Sequence, residues 1–214
     1  MRFDLDQIDT AVAYKLLAAT VVPRPIAWVT TVNAKGLVNA APYSFFNIMG
    51  AAPPTLVLGL LADPLRGFKD TARNIIETGE FVVNLVPEAL VRQMNITAVD
   101  APADVSELEL AGLEQAPAQH VRPPRIAQSP VSFECVNHAT VLTGVHQSVV
   151  IGRILAVHVA DAHVQDAALG HIDTRTLDLV GRTFGGGYAR TGDTFELARP
   201  TWAGWQANQT WPEY

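Results

Sequence analysis

The hydrophobic pattern of this chain falls into short blocks whose period changes between strand-like and helix-like spacing, and each change marks a boundary between elements. Residues 26 to 32 (Ile-Ala-Trp-Val-Thr-Thr-Val) are rich in β-branched and aromatic types and stop at Asn33-Ala34-Lys35-Gly36. That turn signal, followed by strand-like sequence from near Leu37, predicts a β-hairpin. Thr55 to Leu60 and Phe81 to Val86 are short, mainly apolar runs whose length and flanking Gly or Pro favour strands buried on both faces over helices. Between them, Asp70 or Thr71 can cap a helix in which Ala72, Ile75 and Ile76 share one face and Gly79 ends the run. Glu88 to Thr97 reads as a second short helix. Strand patterning returns at Val131 to Val145 and Val149 to Val159, with Gly144 and Gly152 as candidate bulges or bends.

Many strands with few helices predict a mainly β protein with peripheral helices, closed as a β-barrel rather than built from βαβ units. The chain has 214 residues, 49% of them apolar, enough for a substantial core in one domain spanning 1–214. Two segments stand outside that pattern. Residues 99–130 are rich in Ala, Pro and acid, with no cation between Arg92 and Arg122, and read as a surface excursion: a lid, a binding loop, an oligomer arm or a solvated connection. Residues 195–214 carry Trp202, Trp205 and Trp211 between Pro200 and Pro212, and so much aromatic surface predicts docking onto this subunit or a neighbour.

A net charge of −6 argues against a broad nucleic-acid footprint, which needs clustered cations. No apolar run approaches the ~20 residues that span a bilayer as a helix, so no membrane segment is expected. The N-terminal Met1-Arg2-Phe3-Asp4-Leu5-Asp6 lacks a signal-peptide layout and points to the cytoplasm. Cys135 is the sole cysteine and lies in an alternating strand-like stretch, which reads as a buried, inert thiol. The six histidines form no zinc pattern, so no metal is expected, and no Gly-x-Ser-x-Gly elbow occurs.

Two stretches carry candidate chemistry. Asn39-Ala40-Ala41-Pro42-Tyr43-Ser44-Phe45-Phe46-Asn47 sets small polar groups beside aromatic surface; taken alone it reads first as turn formers beside a core, and alternatively as a seat for a planar heterocycle. Lys69-Asp70-Thr71 sits at a helix start, where free backbone N–H groups and a cation attract an anion; the alternative is a plain cap beside a solvated lysine. Together they suit a flat ligand bearing phosphate. Gly185-Gly186-Gly187-Tyr188 lacks the context of a dinucleotide fingerprint, and is either a backbone approach that sets Tyr188 against a ligand or a flexible turn. His146, just before an apolar strand, is the histidine retained as a candidate for a ligand cleft.

These stretches, taken in order with Val22-Pro23-Arg24-Pro25-Ile26-Ala27-Trp28, Gly79-Glu80-Phe81-Val82-Val83-Asn84-Leu85, Met94-Asn95-Ile96-Thr97-Ala98, Glu107 to Leu113, Ser129 to Cys135 and Ile151-Gly152-Arg153, resemble the flavin reductase-like family. The resemblance covers most of the chain. It implies an FMN-binding split β-barrel, generally a homodimer with flavin near the subunit interface. It also implies that Arg24, Ser44, Phe45, Asn47, Lys69 and Thr71 lie near FMN, with Lys69, Thr71 and Asn47 toward its phosphate; Asn39 and Asp70 complete the cofactor-binding set. Tyr188 and His146 are expected on the substrate side. The implied activity is NAD(P)H:flavin oxidoreduction, with a partner oxygenase or redox protein, and no acid, base or nucleophile is required because the flavin accepts the hydride. A non-enzymatic FMN-binding electron carrier or sensor would show the same binding residues.

Overall fold

The computed structural model describes residues 1–63, 65, 67–102 and 104–208. In chain order its first half contains helix α1 (Thr10–Thr20), strands β1 (Arg24–Pro25), β2 (Ala27–Val32), β3 (Val38–Tyr43), β4 (Phe46–Ala51) and β5 (Pro54–Leu60), helix α2 (Asp70–Thr78) and strand β6 (Glu80–Asn84). Helices α3 (Val91–Ile96) and α4 (Glu107–Leu110) follow, then strands β7 (Gln115–Ala116), β8 (Arg125–Ile126), β9 (Val131–Gly144), β10 (Gln147–Val159), β11 (Val164–Asp166), β12 (His171–Ile172), β13 (Val180–Arg182) and β14 (Tyr188–Arg190), and helix α5 (Trp202–Asn208).

Among the described residues, seven strands form one antiparallel sheet in the order β3-β2-β6-β9-β10-β5-β4. The chain leaves one edge of this sheet at Tyr43 and starts the other edge at Phe46, so the sheet must curl for so short a link to bridge its edges. The Phe45 carbonyl, accepting from Gly59 N at 2.7 Å, fastens the link to β5. The expected hairpin is present with Val32 opposite Val38 and Ala27 opposite Tyr43. Register shifts fall at Gln147/Ser148 and Ile151/Gly152, close to the two glycines the sequence marks as bends. At Gly152 the reason is contact: an added Cβ would lie 2.5 Å from the Phe81 ring.

Strand β2 is buried along its whole length because alternate side chains serve different cores. Ala27 and Val29 join Leu56, Leu58, Leu60, Ile75, Phe81, Val83 and Cys135 inside the barrel. Ile26 and Trp28 instead join Ala40, Val86, Met94, Leu108, Leu113 and Ile126 in a second core outside it. Fully burying one such large apolar side chain contributes about 1.5–3 kcal/mol, so neither core is decoration. The Trp28 indole N–H is satisfied by Thr97 Oγ1 at 2.8 Å, which ties the end of α3 to β2. Burial pushes the Cys135 thiol up, with the Glu134 charge adding to it, consistent with an inert sulfur.

Several sequence expectations need correction. Ile76 is exposed while Ala72 and Ile75 are buried, because α2 lays only a narrow stripe on the sheet. The residue capping α2 is Lys69, not Asp70 or Thr71, and no side chain caps the helix; Gly79, with φ 74°, does end it. The described residues of 99–130 keep many exposed positions, as an excursion would, but they are anchored and not free. Leu108, Leu113, Val121 and Ile126 are buried, and Ile126 N donates to the buried Asn84 Oδ1 at 3.0 Å. The acidic composition hid apolar positions spaced as anchors between polar stretches.

The same segment is pinned by Glu134 on β9, a fully buried carboxylate that accepts from Gln119 N at 2.8 Å, His120 N at 2.6 Å and the His158 ring. Desolvation opposes its charge, yet those hydrogen bonds hold the carboxyl below its usual range. The tail behaves differently. From Phe195 to α5 it has no regular structure, Phe195, Leu197 and Trp202 are exposed, and Glu196 reaches Arg175 at 3.9 Å. Trp211 and Pro212 lie outside the described residues. Among those residues no helix is long and apolar enough to cross a membrane.

Candidate functional site

The curl that brings β3 beside α2 assembles one end of a candidate site. A cavity of about 180 Å³ is lined by Asn39, Tyr43, Phe68, Lys69, Thr71 and Glu107, among others. Here α2 begins with no side-chain cap, so its first backbone N–H groups and dipole remain for something else. The Lys69 side chain has no hydrogen-bond or ion-pair partner among the described residues, while its carbonyl accepts from Arg73 N at 3.0 Å. Arg73, in contrast, is held by Asp70 Oδ1 at 2.9 Å and the Phe68 carbonyl at 3.0 Å. The helix start and Lys69 favour a small anion at this end, against the carboxylates of Asp63, Asp70, Asp100 and Glu107 that line the same cavity.

Behind that opening lies a polar mount. Thr71 Oγ1 donates to Asn39 Oδ1 at 2.8 Å, and Thr31 Oγ1 donates to the same oxygen at 3.3 Å. Asn74 Nδ2 donates to Thr31 Oγ1 at 2.9 Å, so two successive turns of α2 are tied to one amide. Asn39 Nδ2 in turn donates to Glu107 Oε2 at 2.9 Å. Desolvation pushes the Tyr43 phenol up to about 12, against a hydrogen bond with Thr71 and with help from the charges of Glu107 and Asp70. It stays a neutral donor at any physiological pH.

The second end continues from the first. A cavity of about 220 Å³ shares Pro42, Tyr43 and Ala98 with the first and is otherwise lined by residues including Tyr14, Ser44, Met94, Arg182 and Tyr188. Buried Arg24 organises its wall. Nε donates to Ser44 Oγ at 3.2 Å, Nη2 to the Thr183 carbonyl at 3.1 Å, and Nη1 to the carbonyls of Ala18 and Val21 at the end of α1. A guanidinium at a helix C-terminus satisfies orphan carbonyls and complements the dipole. The Phe45 ring lies 6.0 Å from the Arg24 guanidinium and 6.1 Å from the Tyr14 ring, while Arg182 lies 4.7 Å over Tyr188.

Among the residues singled out by sequence, Asn39, Lys69, Asp70 and Thr71 are brought together at the anion end. Ser44 and Tyr188 line the adjoining cavity, with Arg24 and Phe45 behind Ser44. Asn47 departs from this grouping. It lines a separate, apolar cavity of about 360 Å³ with Arg24, Phe46 and Phe133, so that Arg24 borders this cavity while reaching Ser44 through its Nε, and the Asn47 Oδ1 accepts from Ile48 N. Once Phe46 enters β4, Asn47 projects from the opposite face of the strand. His146 sits at the β9–β10 turn with φ 58°, its ring edge-on to Phe68 at 5.0 Å, so it approaches the anion end and not Tyr188.

Glu107, Tyr14 and Arg182 were missed in the sequence. Only Glu107 left a trace, as one acid among many in 99–130. Nothing local distinguished it.

The chain belongs to the flavin reductase like domain family, whose profile matches residues 19–179. It is similar to nitrilotriacetate monooxygenase component B from Bacillus cereus, with a TM-score of 0.86 at 35% identity, covering 92% of this chain and 98% of that one. It is also similar to the 2-nitrobenzoate 2-nitroreductase of Pseudomonas fluorescens, with a TM-score of 0.85 at 34% identity over 94% of this chain and 98% of that one. A flavin reductase with a split barrel domain from Shewanella frigidimarina matches at a TM-score of 0.77 and 23% identity, over 94% of this chain and 99% of that one. The fold is therefore a split barrel, as the resemblance implied.

Proposed function

We propose that this chain binds FMN and uses NAD(P)H to reduce flavin, as the reductase component serving an oxygenase. The observation that carries this reading is the uncapped start of α2 beside a Lys69 side chain with no partner among the described residues, at a cavity that adjoins the one lined by Ser44 and Tyr188. A phosphate fits the first part by charge and hydrogen bonding. A planar ring fits the second, between the Pro42–Ser44 backbone and aromatic side chains. Bound there, the flavin supplies the hydride acceptor. Lys69 and the first N–H groups of α2 hold its phosphate, Ser44 is kept in place by Arg24, and the Tyr188 side of the cavity receives the nicotinamide.

A homodimer acting in the cytoplasm, where pyridine nucleotides are abundant, belongs to the same proposal. Its support is apolar surface: Val141, Leu142 and Val145 at the β9–β10 tip and Val12, Tyr14 and Leu17 on α1 are all exposed. The tail from Phe195 docks on the neighbouring subunit in this reading. The role as an oxygenase partner draws on the likeness to the Bacillus cereus monooxygenase component.

Anaerobic mixing of the purified, flavin-loaded protein with NADH and with NADPH tests the activity. Bleaching of flavin absorbance within the turnover time is expected with at least one of them; no bleaching with either, at full flavin occupancy, would refute it. A second reading, direct reduction of a nitroaromatic substrate, is favoured by the Pseudomonas fluorescens likeness. It requires NAD(P)H consumption that rises on adding a nitrobenzoate without free flavin. An electron carrier would instead oxidise NAD(P)H negligibly and take electrons from a protein donor.

A further inference from the structure

The anion end rests on a residue that reaches it from the segment 99–130. Leu108 is fully buried in the outer core, which fixes α4 against β3 and leaves Glu107, one residue earlier, facing Asn39. Glu107 Oε2 accepts from Asn39 Nδ2 at 2.9 Å and from Ala40 N at 3.1 Å. An ionised carboxylate only accepts hydrogen bonds, so it obliges the Asn39 amide to present its NH2 to Glu107 and its oxygen to α2. That oxygen holds Thr71 in the first turn of α2 and, through Thr31, Asn74 in the second.

We propose that Glu107 is a positioning residue for the phosphate-binding end of the site, acting through Asn39 to set the N-terminal turns of α2. As an anion itself, Glu107 is not a group that would hold a phosphate. Thr71 and Glu107 border the cavity but are largely buried, and the groups there suited to an anion are Lys69 and the free backbone N–H groups of the helix. Without the carboxylate, the Asn39 amide has no reason to prefer one orientation, and Thr71 loses its fixed acceptor. The segment 99–130 thereby becomes part of the cofactor site, although its acidic charge alone would repel a phosphate. This inference rests on the flavin reading given above.

The test compares FMN and riboflavin, which differ by the phosphate, in titrations of the full apo-protein followed by flavin fluorescence. For Glu107→Ala and Glu107→Asp, the second keeping the charge but withdrawing it by one methylene, the FMN Kd is expected to rise about tenfold, the size of one charge-assisted hydrogen bond. The riboflavin Kd should change less than about twofold, because only the anion end is affected. Glu107→Gln should restore FMN binding to within about threefold of wild type, since one amide oxygen can accept both bonds now made by Oε2.

Equal losses for FMN and riboflavin would overturn the proposal, as would Glu107→Gln binding no better than Glu107→Ala. Unchanged or tighter FMN binding by Glu107→Asp would overturn it too, by showing that charge and not placement matters. If Glu107→Ala does not fold, the Asp and Gln variants decide the matter between them. Wild-type protein that binds neither flavin would refute the flavin reading itself, a distinct outcome.

Discussion

The two ends of the site hold their charged residues in opposite ways. At the ring end, Arg24 is a buried cation whose fork is already occupied by Ser44, Thr183 and two carbonyls of α1. At the anion end, the Lys69 ammonium has no partner among the described residues and stands beside a helix start that no side chain caps. A satisfied guanidinium can only shape a wall, because recruiting it to a ligand would orphan the groups it serves. An unsatisfied ammonium has nothing to lose on binding. Proximity to a ligand site therefore does not identify a ligand-binding residue; the state of its hydrogen bonds does.

Arg24→Ala is the largest test of this contrast. Losing a buried fork bonded to four groups should cost about 3 kcal/mol, or roughly 6–12 °C in Tm for a chain of this size, with Arg24→Lys recovering little of it. Calorimetry of the apo-protein measures this, and a loss of flavin affinity without a drop in Tm would mean that Arg24 serves the ligand directly. Lys69→Ala should do the reverse. Its Tm should stay within about 2 °C of wild type, while FMN affinity falls about tenfold more than riboflavin affinity. Equal losses for both flavins would remove Lys69 from the phosphate.

The smallest effect concerns Glu134, which anchors the segment that brings Glu107 to the site. Its folded-state pKa is lowered from 4.5, so its stabilisation is fully present above that value and is lost as pH falls through the folded pKa. Melting curves between neutral and acidic pH should show the wild-type advantage over Glu134→Gln shrinking as acid is added. A constant or growing gap would contradict the assigned direction.

The sequence revealed what local chemistry determines. Phe81 to Val86 reads as a strand buried on both faces and β6 is buried from Phe81 to Asn84, whereas Thr55 to Leu60 reads the same way but β5 alternates buried with half-buried positions. Gly79 ends α2 because a left-handed residue there favours glycine. Lys69 and Thr71 could be paired with Asn39 only through the family resemblance, since the hydrogen bond joining Thr71 to Asn39 spans residues distant in sequence. Glu107 stayed invisible for the same reason in stronger form. Its role depends on which acid in an acidic stretch precedes a buried leucine, and burial of Leu108 is decided by the second core, not by its neighbours. Asn47 shows the converse case: close in sequence to Ser44, it lines a different cavity because strand alternation turns it to the other face.

Strand β2 is a shared wall, and that limits how this protein can change over evolutionary time. Because Ala27 and Val29 fill one core while Ile26 and Trp28 fill the other, a slip of one residue would exchange the two sets of side chains and spoil both at once. The outer layer cannot be traded for another module by recombination at β2 without also rewriting the barrel.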